Sequence, residues 1–106
     1  MLVTRETVAP VFMFPGVYRR VLNTGERTMV VEVSFESGAT VPEHTHPHEQ
    51  IGYVVRGTIQ FTIGDRVVVL RPGDGYVIPG GTPHSVLALE ESIAVDIFSP
   101  VREEYT

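Results

Sequence analysis

From Arg27 onward the chain shows no helical repeat of apolar residues. It breaks instead into short β-rich runs, each ended by turn chemistry. The segment "RTMVVEVSF" (27–35) is a strand stopped by "ESGA", and "QIGYVVRG" (50–57) is another. "TIQFTIGDRVVVLRPGD" (58–74) reads as two strands folded back at Gly64-Asp65, and it stops at Pro72-Gly73, a type II turn signature. "GYVIP" (75–79), "HSVLAL" (84–89) and "SIAVDIF" (92–98) follow, with "PGG" and Glu90-Glu91 as the breaks. Seven or more short strands at this spacing predict an all-β sandwich or barrel. Runs such as "VVVL" and "SIAVDIF" are apolar on both faces. An antiparallel jelly roll with a lined interior accounts for that better than an open sheet with one wet face. At 106 residues the chain suits one domain, 1–106, around one core.

Composition removes several function classes. The net charge of −5 argues against a general nucleic-acid binder or an anionic-membrane binder, while leaving room for an anionic ligand held by local arginine. All eight basic residues are arginine, so lysine Schiff-base chemistry and a P-loop are excluded. Cysteine is absent, which excludes a disulfide framework, a thiolate nucleophile and a Cys-zinc site. No window approaches the roughly 18 apolar residues of a membrane span. "MLVTRETVAPVFMFPG" carries a short apolar patch broken by Pro10 and Pro15, which does not read as a signal peptide. A cytoplasmic protein is the expectation.

Three of the four histidines lie in "HTHPHEQ" (44–50). Side chains at i and i+2 of a strand share a face, so strand geometry would let His44 and His46 converge on one ion. Gln50 has the same parity, although Pro47 bends the path. His84 opens a later strand and completes a three-histidine set with an amide oxygen if the two strands are neighbours. Imidazole and oxygen donors suit a divalent transition metal, with Ni, Zn, Fe and Mn all compatible. The plainer alternative is a polar strand start with solvated histidines. His48 follows Pro47 and is expected beside the ligands or at the surface.

The spacing around these residues is specific. Gly38, five residues, His44-Thr-His46, Gln50 and Gly57 resemble the first motif of the cupin family; Gly73, five residues, then Pro79-x-Gly81-x-x-His84 resemble the second. The resemblance implies a jelly-roll barrel of six to eight strands with a metal held inside by the motif residues. Two positions depart from the general pattern: Gln50 stands in the usual glutamate slot, with Glu49 displaced beside it, and Ala88 replaces an asparagine. A neutral ligand set leaves the metal a stronger Lewis acid.

At the other end, "SIAVDIF" puts Asp96 and Phe98 on the face of Ser92 and Ala94. A carboxylate on an otherwise apolar strand is costly unless it is paired or functional. An edge-strand aspartate bonded to a nearby arginine would also explain it. Together with "HPHEQIGYVVRG", the segment "DIFSPVREEY" is similar to the small cupins of the pectin-degradation KdgF type. The resemblance implies that His44, His46, Gln50 and His84 bind the metal and that Asp96, Phe98 and Arg102 serve the substrate. It also implies the reaction, opening of cyclic 4,5-unsaturated monouronates to the linear keto form. In that scheme Asp96 is the general acid/base, Arg102 grips the sugar carboxylate and Phe98 packs on the ring. Arg102 could instead form a surface pair with Glu103 or Glu104; Tyr53 and Arg20 are weaker lining candidates. Other readings are a metal-dependent cupin of another class, such as an Fe(II) dioxygenase or another sugar isomerase, and a non-catalytic binder. The partner expected is a small anionic sugar. A homodimer is also expected, from the resemblance and from apolar residues in "PVFMFPGVYRRV".

Overall fold

The computed structural model describes all 106 residues. Ten strands follow one another: β1 (Val11–Phe14), β2 (Val17–Thr24), β3 (Met29–Phe35), β4 (Thr40–His44), β5 (Glu49–Arg56), β6 (Ile59–Ile63), β7 (Arg66–Leu70), β8 (Gly75–Ile78), β9 (His84–Ala88) and β10 (Ser92–Ser99). Two 3-10 turns, Arg5–Thr7 and Glu103–Tyr105, flank them. The strands form a six-stranded sheet, β1-β2-β3-β10-β5-β8, and a four-stranded sheet, β4-β9-β6-β7. Every pairing is antiparallel. This is the all-β jelly roll that the run of short strands predicts.

Turn chemistry sets the hairpins where it was legible. β6 and β7 close with Ile63 opposite Arg66, so Gly64-Asp65 is a two-residue loop, and Gly64 has φ +60° at its first position. At 71–74 the Asp74 amide donates to the Arg71 carbonyl at 2.9 Å, and Gly73 takes the φ of +92° that a type II turn demands. The N-terminal apolar patch is not simply broken by its prolines. Pro10 precedes β1 and Pro15-Gly16 turns β1 into β2, so the patch is a hairpin.

The two sheets face each other across a core that includes Val17, Met29, Val31, Val33, Phe35, Ile59, Phe61 and Phe98. Burial of such a side chain contributes about 1.5–3 kcal/mol relative to exposure. Burial alternates along β10: Ser92, Ala94, Asp96 and Phe98 are inside, with Ile93, Val95 and Ile97 outside. The apolar outer rows are not covered. Val77, Ile51 and Ile97 lie side by side across β8, β5 and β10 on the outer face and are exposed, as is Val67 of β7. A lined interior therefore accounts for only one of the two apolar faces.

Glu32 of β3 has the outward parity yet is buried. Arg5 covers it, with Nε 2.8 Å from Oε1, and Arg20 lies 3.6 Å away. Arg20 also donates to the Val8 carbonyl at 3.0 Å. Its role is to clamp the N-terminal segment onto the outside of the sheet, not to line the interior.

Candidate metal centre and substrate pocket

The three histidines meet inside one end of the barrel, though not by the route that strand parity suggests. His44 ends β4 and His46 lies in the loop beyond it. That loop is held from the other side: the Gly81 amide donates to the His46 carbonyl at 2.8 Å. Gly80 packs so closely under the Pro47 carbonyl that a Cβ there would overlap it. His84 opens β9 directly opposite His44. The candidate ligand nitrogens of His44, His46 and His84 all lie within 4.8 Å of one another.

Each ring is oriented by a main-chain oxygen. Nδ1 lies 2.9 Å from the Pro42 carbonyl in His44, 3.0 Å from the His48 carbonyl in His46 and 2.8 Å from the Thr82 carbonyl in His84. A carbonyl only accepts, so Nδ1 carries the proton and Nε2 presents its lone pair to the centre. His84 Nε2 is buried with no hydrogen-bond partner. His46 Nε2 lies 3.1 Å from Gln50 Oε1, so two acceptors face each other. An orphaned acceptor and an opposed acceptor pair are what a cation between them would satisfy, so the residues fit a metal ion. His48 is outside the cluster; its carbonyl fixes His46, and its ring is 5.7 Å from that of His46. Burial lowers the pKa of His84 to about 4 and also lowers that of His46, with the Arg102 charge adding to the His46 effect. Both therefore stay neutral and ligand-competent at pH 7.

The six-stranded sheet supplies the opposite wall. Asp96 of β10, Gly52 of β5 and Tyr76 of β8 form one rung. Gly52 leaves the gap across which the Tyr76 hydroxyl donates to Asp96 Oδ1; a Cβ there would lie 2.6 Å from Asp96 Oδ1 and 2.8 Å from the Tyr76 hydroxyl. In the next rung Gln50 lies between Phe98 and Ile78. The Gln50 side chain helps hold the pKa of the Asp96 carboxyl down and reaches His46 Nε2, so it stands between the carboxylate and the histidines. Burial raises the pKa of Asp96 above the usual carboxylate value, although Tyr76, Gln50 and the Arg102 charge all pull it down. A carboxyl held in this balance is suited to take and return a proton.

Arg102 forms the expected pair with Glu104 and also reaches the cavity. Its Nε lies 2.6 Å from Glu104 Oε1, yet the side chain is only 12% exposed and borders the cavity. Its guanidinium stands 5.1 Å from the Phe98 ring centroid and 4.3 Å from that of Tyr105. The cavity among His44, Gln50, His84, Asp96, Phe98 and Arg102 has a volume of about 40 Å³. A vestibule of about 370 Å³ adjoins it and shares His44, Arg102 and Tyr105 with it. Tyr53 is exposed on the outer face, so the lining expectation for it does not hold. Tyr76, Tyr105 and Arg19 also line the cavity or its vestibule and escaped the sequence reading. Parity would have flagged Arg19, since it falls between the inward Val17 and Val21 once β2 is recognised.

A two-sheet barrel with three histidines at one end is the arrangement of a metal-site cupin, and a model of the cupin domain matches residues 31–98. The chain belongs to the cupin family. Within it, the chain is 35% identical over 92 residues to the pectin degradation protein KdgF of Dickeya dadantii (strain 3937), covering 85% of this chain and 84% of that one. The structure of KdgF from Halomonas sp. superposes with a TM-score of 0.95 at 33% identity, over 100% of this chain and 98% of the other. An RmlC-like cupin from Shewanella frigidimarina NCIMB 400 gives 0.94 at 28% identity, over 99% and 95%. The chain is thus a small cupin of the KdgF kind.

Proposed function

We propose that this protein is a metal-dependent enzyme that opens cyclic 4,5-unsaturated monouronates to the linear keto form. The observation that carries the reading is the placement of Asp96, a buried carboxyl with a raised pKa, opposite three histidines whose Nε2 atoms point inward. His44, His46, His84 and Gln50 would hold a divalent transition metal (Ni, Zn, Fe or Mn). Bound there, the metal supplies Lewis acidity that stabilises negative charge developing on oxygen.

The chain's own residues supply the remaining steps. Asp96 takes the proton of the anomeric hydroxyl as the bond between C1 and the ring oxygen breaks. The same proton is returned to C4, so the reaction is an isomerisation that needs no co-reactant. Tyr76 holds Asp96 in place by its hydrogen bond. Phe98, edge-to-face with His46 at a centroid distance of 5.7 Å, gives the sugar a flat apolar wall. Arg102 pairs with the sugar carboxylate through its terminal nitrogens, since Nε is engaged by Glu104.

The test is turnover of freshly released unsaturated monouronate by metal-loaded protein. Loss of the C4=C5 ultraviolet absorbance should accelerate, and His84→Ala should abolish the acceleration. No acceleration with metal bound refutes the reading. The reading includes a homodimer and a cytoplasmic location. The exposed Ile51–Val77–Ile97 row and Phe12 supply apolar surface for the first. For the second, no helix is long and apolar enough to cross a membrane.

A further inference from the structure

Arg19 has the inward parity of β2, between Val17 and Val21 and opposite Val33 of β3. A cation in a core row is costly unless a partner or a ligand compensates it. The structure gives it no carboxylate: the four ion pairs of the chain involve Arg5, Arg20, Arg56 and Arg102. Its Nε is buried with no hydrogen-bond partner. Its guanidinium rests 4.3 Å from the Tyr105 ring centroid, and Arg102 rests at 4.3 Å from the same ring. The two guanidinium carbons are therefore at most twice 4.3 Å apart, about 8.6 Å. Both side chains border the vestibule. A carboxylate bridging two guanidinium groups sits about 4 Å from each carbon, so groups on one side of the ring and within about 8 Å of each other can share one. The inner cavity of about 40 Å³ is too small for a whole sugar, so a ring that reaches Asp96 and Phe98 extends into the vestibule.

We propose that Arg19 is a second anion-binding residue, which together with Arg102 clamps the carboxylate of a monoanionic sugar acid in the vestibule. The sugar part of this inference rests on the uronate reading above; the anion part rests on the geometry of Arg19. Arg102 alone is half-committed to Glu104, whereas Arg19 brings a free, planar, permanently charged fork. Tyr105 sets its angle by stacking against it.

The experiment is calorimetric titration of metal-loaded protein with galacturonate and with neutral galactose, using wild type, Arg19→Gln and Arg19→Lys. KM and kcat on unsaturated monouronate are measured alongside. Galacturonate is expected to bind at least about tenfold more tightly than galactose, and Arg19→Gln to lose about tenfold or more of that affinity. KM rises by a similar factor with kcat changed less, since the contact is made equally in ground and transition states. Arg19→Lys keeps the charge without the fork and should fall between the two, which also serves should Arg19→Gln melt early. Equal galacturonate affinity in all three proteins, or no galacturonate binding by wild type, overturns the inference. Turnover with a KM untouched by Arg19→Gln overturns it and leaves the uronate reading standing. Arg19-dependent binding without turnover does the reverse.

Discussion

Gly52→Ala tests whether the Asp96–Gly52–Tyr76 rung is as tight as it looks. The added Cβ would overlap the Val95 carbonyl oxygen and lie 2.6 Å from Asp96 Oδ1 and 2.8 Å from the Tyr76 hydroxyl. To reach ordinary contact the carboxylate must retreat by about 0.8 Å and the hydroxyl by about 0.6 Å, enough to lose the bond between them. The Val95 carbonyl cannot rotate away, because it belongs to the β10–β5 ladder. Overpacking of this kind costs about 1–3 kcal/mol, and a buried carboxyl deprived of a donor costs about 1–3 kcal/mol more. Reduced entropy of the unfolded chain returns about 0.4–1 kcal/mol. The net expectation is a loss of about 3 kcal/mol, or a fall in Tm of about 10–25 °C. Gly75→Ala is the control: its Cβ comes no closer than 3.4 Å to the Gly52 carbonyl, and it should stay within about 0.5 kcal/mol of wild type. Calorimetric melts of the metal-free proteins decide the matter, with turnover measured on the folded fraction. A Gly52→Ala protein that melts like the control and keeps full activity would refute the reasoning.

Four further outcomes follow from the same geometry. Removing metal with a chelator should lower Tm, by the equivalent of about 2.7 kcal/mol where metal had stood at a hundred times its Kd; His84→Ala should be indifferent to the chelator in the same melts. In the metal-free protein the folded pKa of His84 is depressed to about 4 from 6.5, so the unfolded chain binds the proton first. Stability should therefore be lost as pH falls from about 6.5 to about 4, with a shallower loss in His84→Ala by urea titration. Phe61→Ala, at a position 2% exposed and stacked near Tyr76 with centroids 4.2 Å apart, should cost about 3–5 kcal/mol in denaturant melts. Ile51→Lys should convert the proposed dimer to monomer in light scattering without loss of fold; a wild type already at monomer mass removes the dimer from the reading.

What was legible in the chain depended on how local its cause was. The 58–74 hairpin and the turn after it are dictated by Gly64-Asp65 and Pro72-Gly73, and each is satisfied within four residues. β1 and β2 were obscured because Pro10 and Pro15 read as breaks in an apolar patch, when one precedes a strand and the other turns a hairpin. The histidine set was readable as a set, but its convergence comes from a loop strapped to Gly80-Gly81 rather than from strand parity. Asp96 stood out by the cost of burying a charge. Tyr76 did not, because nothing at 76 announces that β8 will lie two strands from β10 with a glycine between them. Tyr105 is likewise placed by packing against distant segments, whereas the inward turn of Arg19 was hidden only because β2 itself was.

The pocket is assembled from parts of unequal permanence. The histidine half is anchored in paired strands of the four-stranded sheet and in a loop bonded at both ends. In the proposed anion half Arg19 is on β2, but Arg102 and Tyr105 lie beside and within a single 3-10 turn of three residues. That turn is held by the Phe98 and Tyr105 rings, centroids 5.8 Å apart, and by the Arg102 amide on Met29 Sδ at 3.3 Å. A three-residue turn outside the sheets opens at a far smaller free energy than central strands. On warming, the proposed recognition of a sugar acid should therefore vanish before the proposed metal site is lost, leaving a folded protein that is loaded but blind to its ligand.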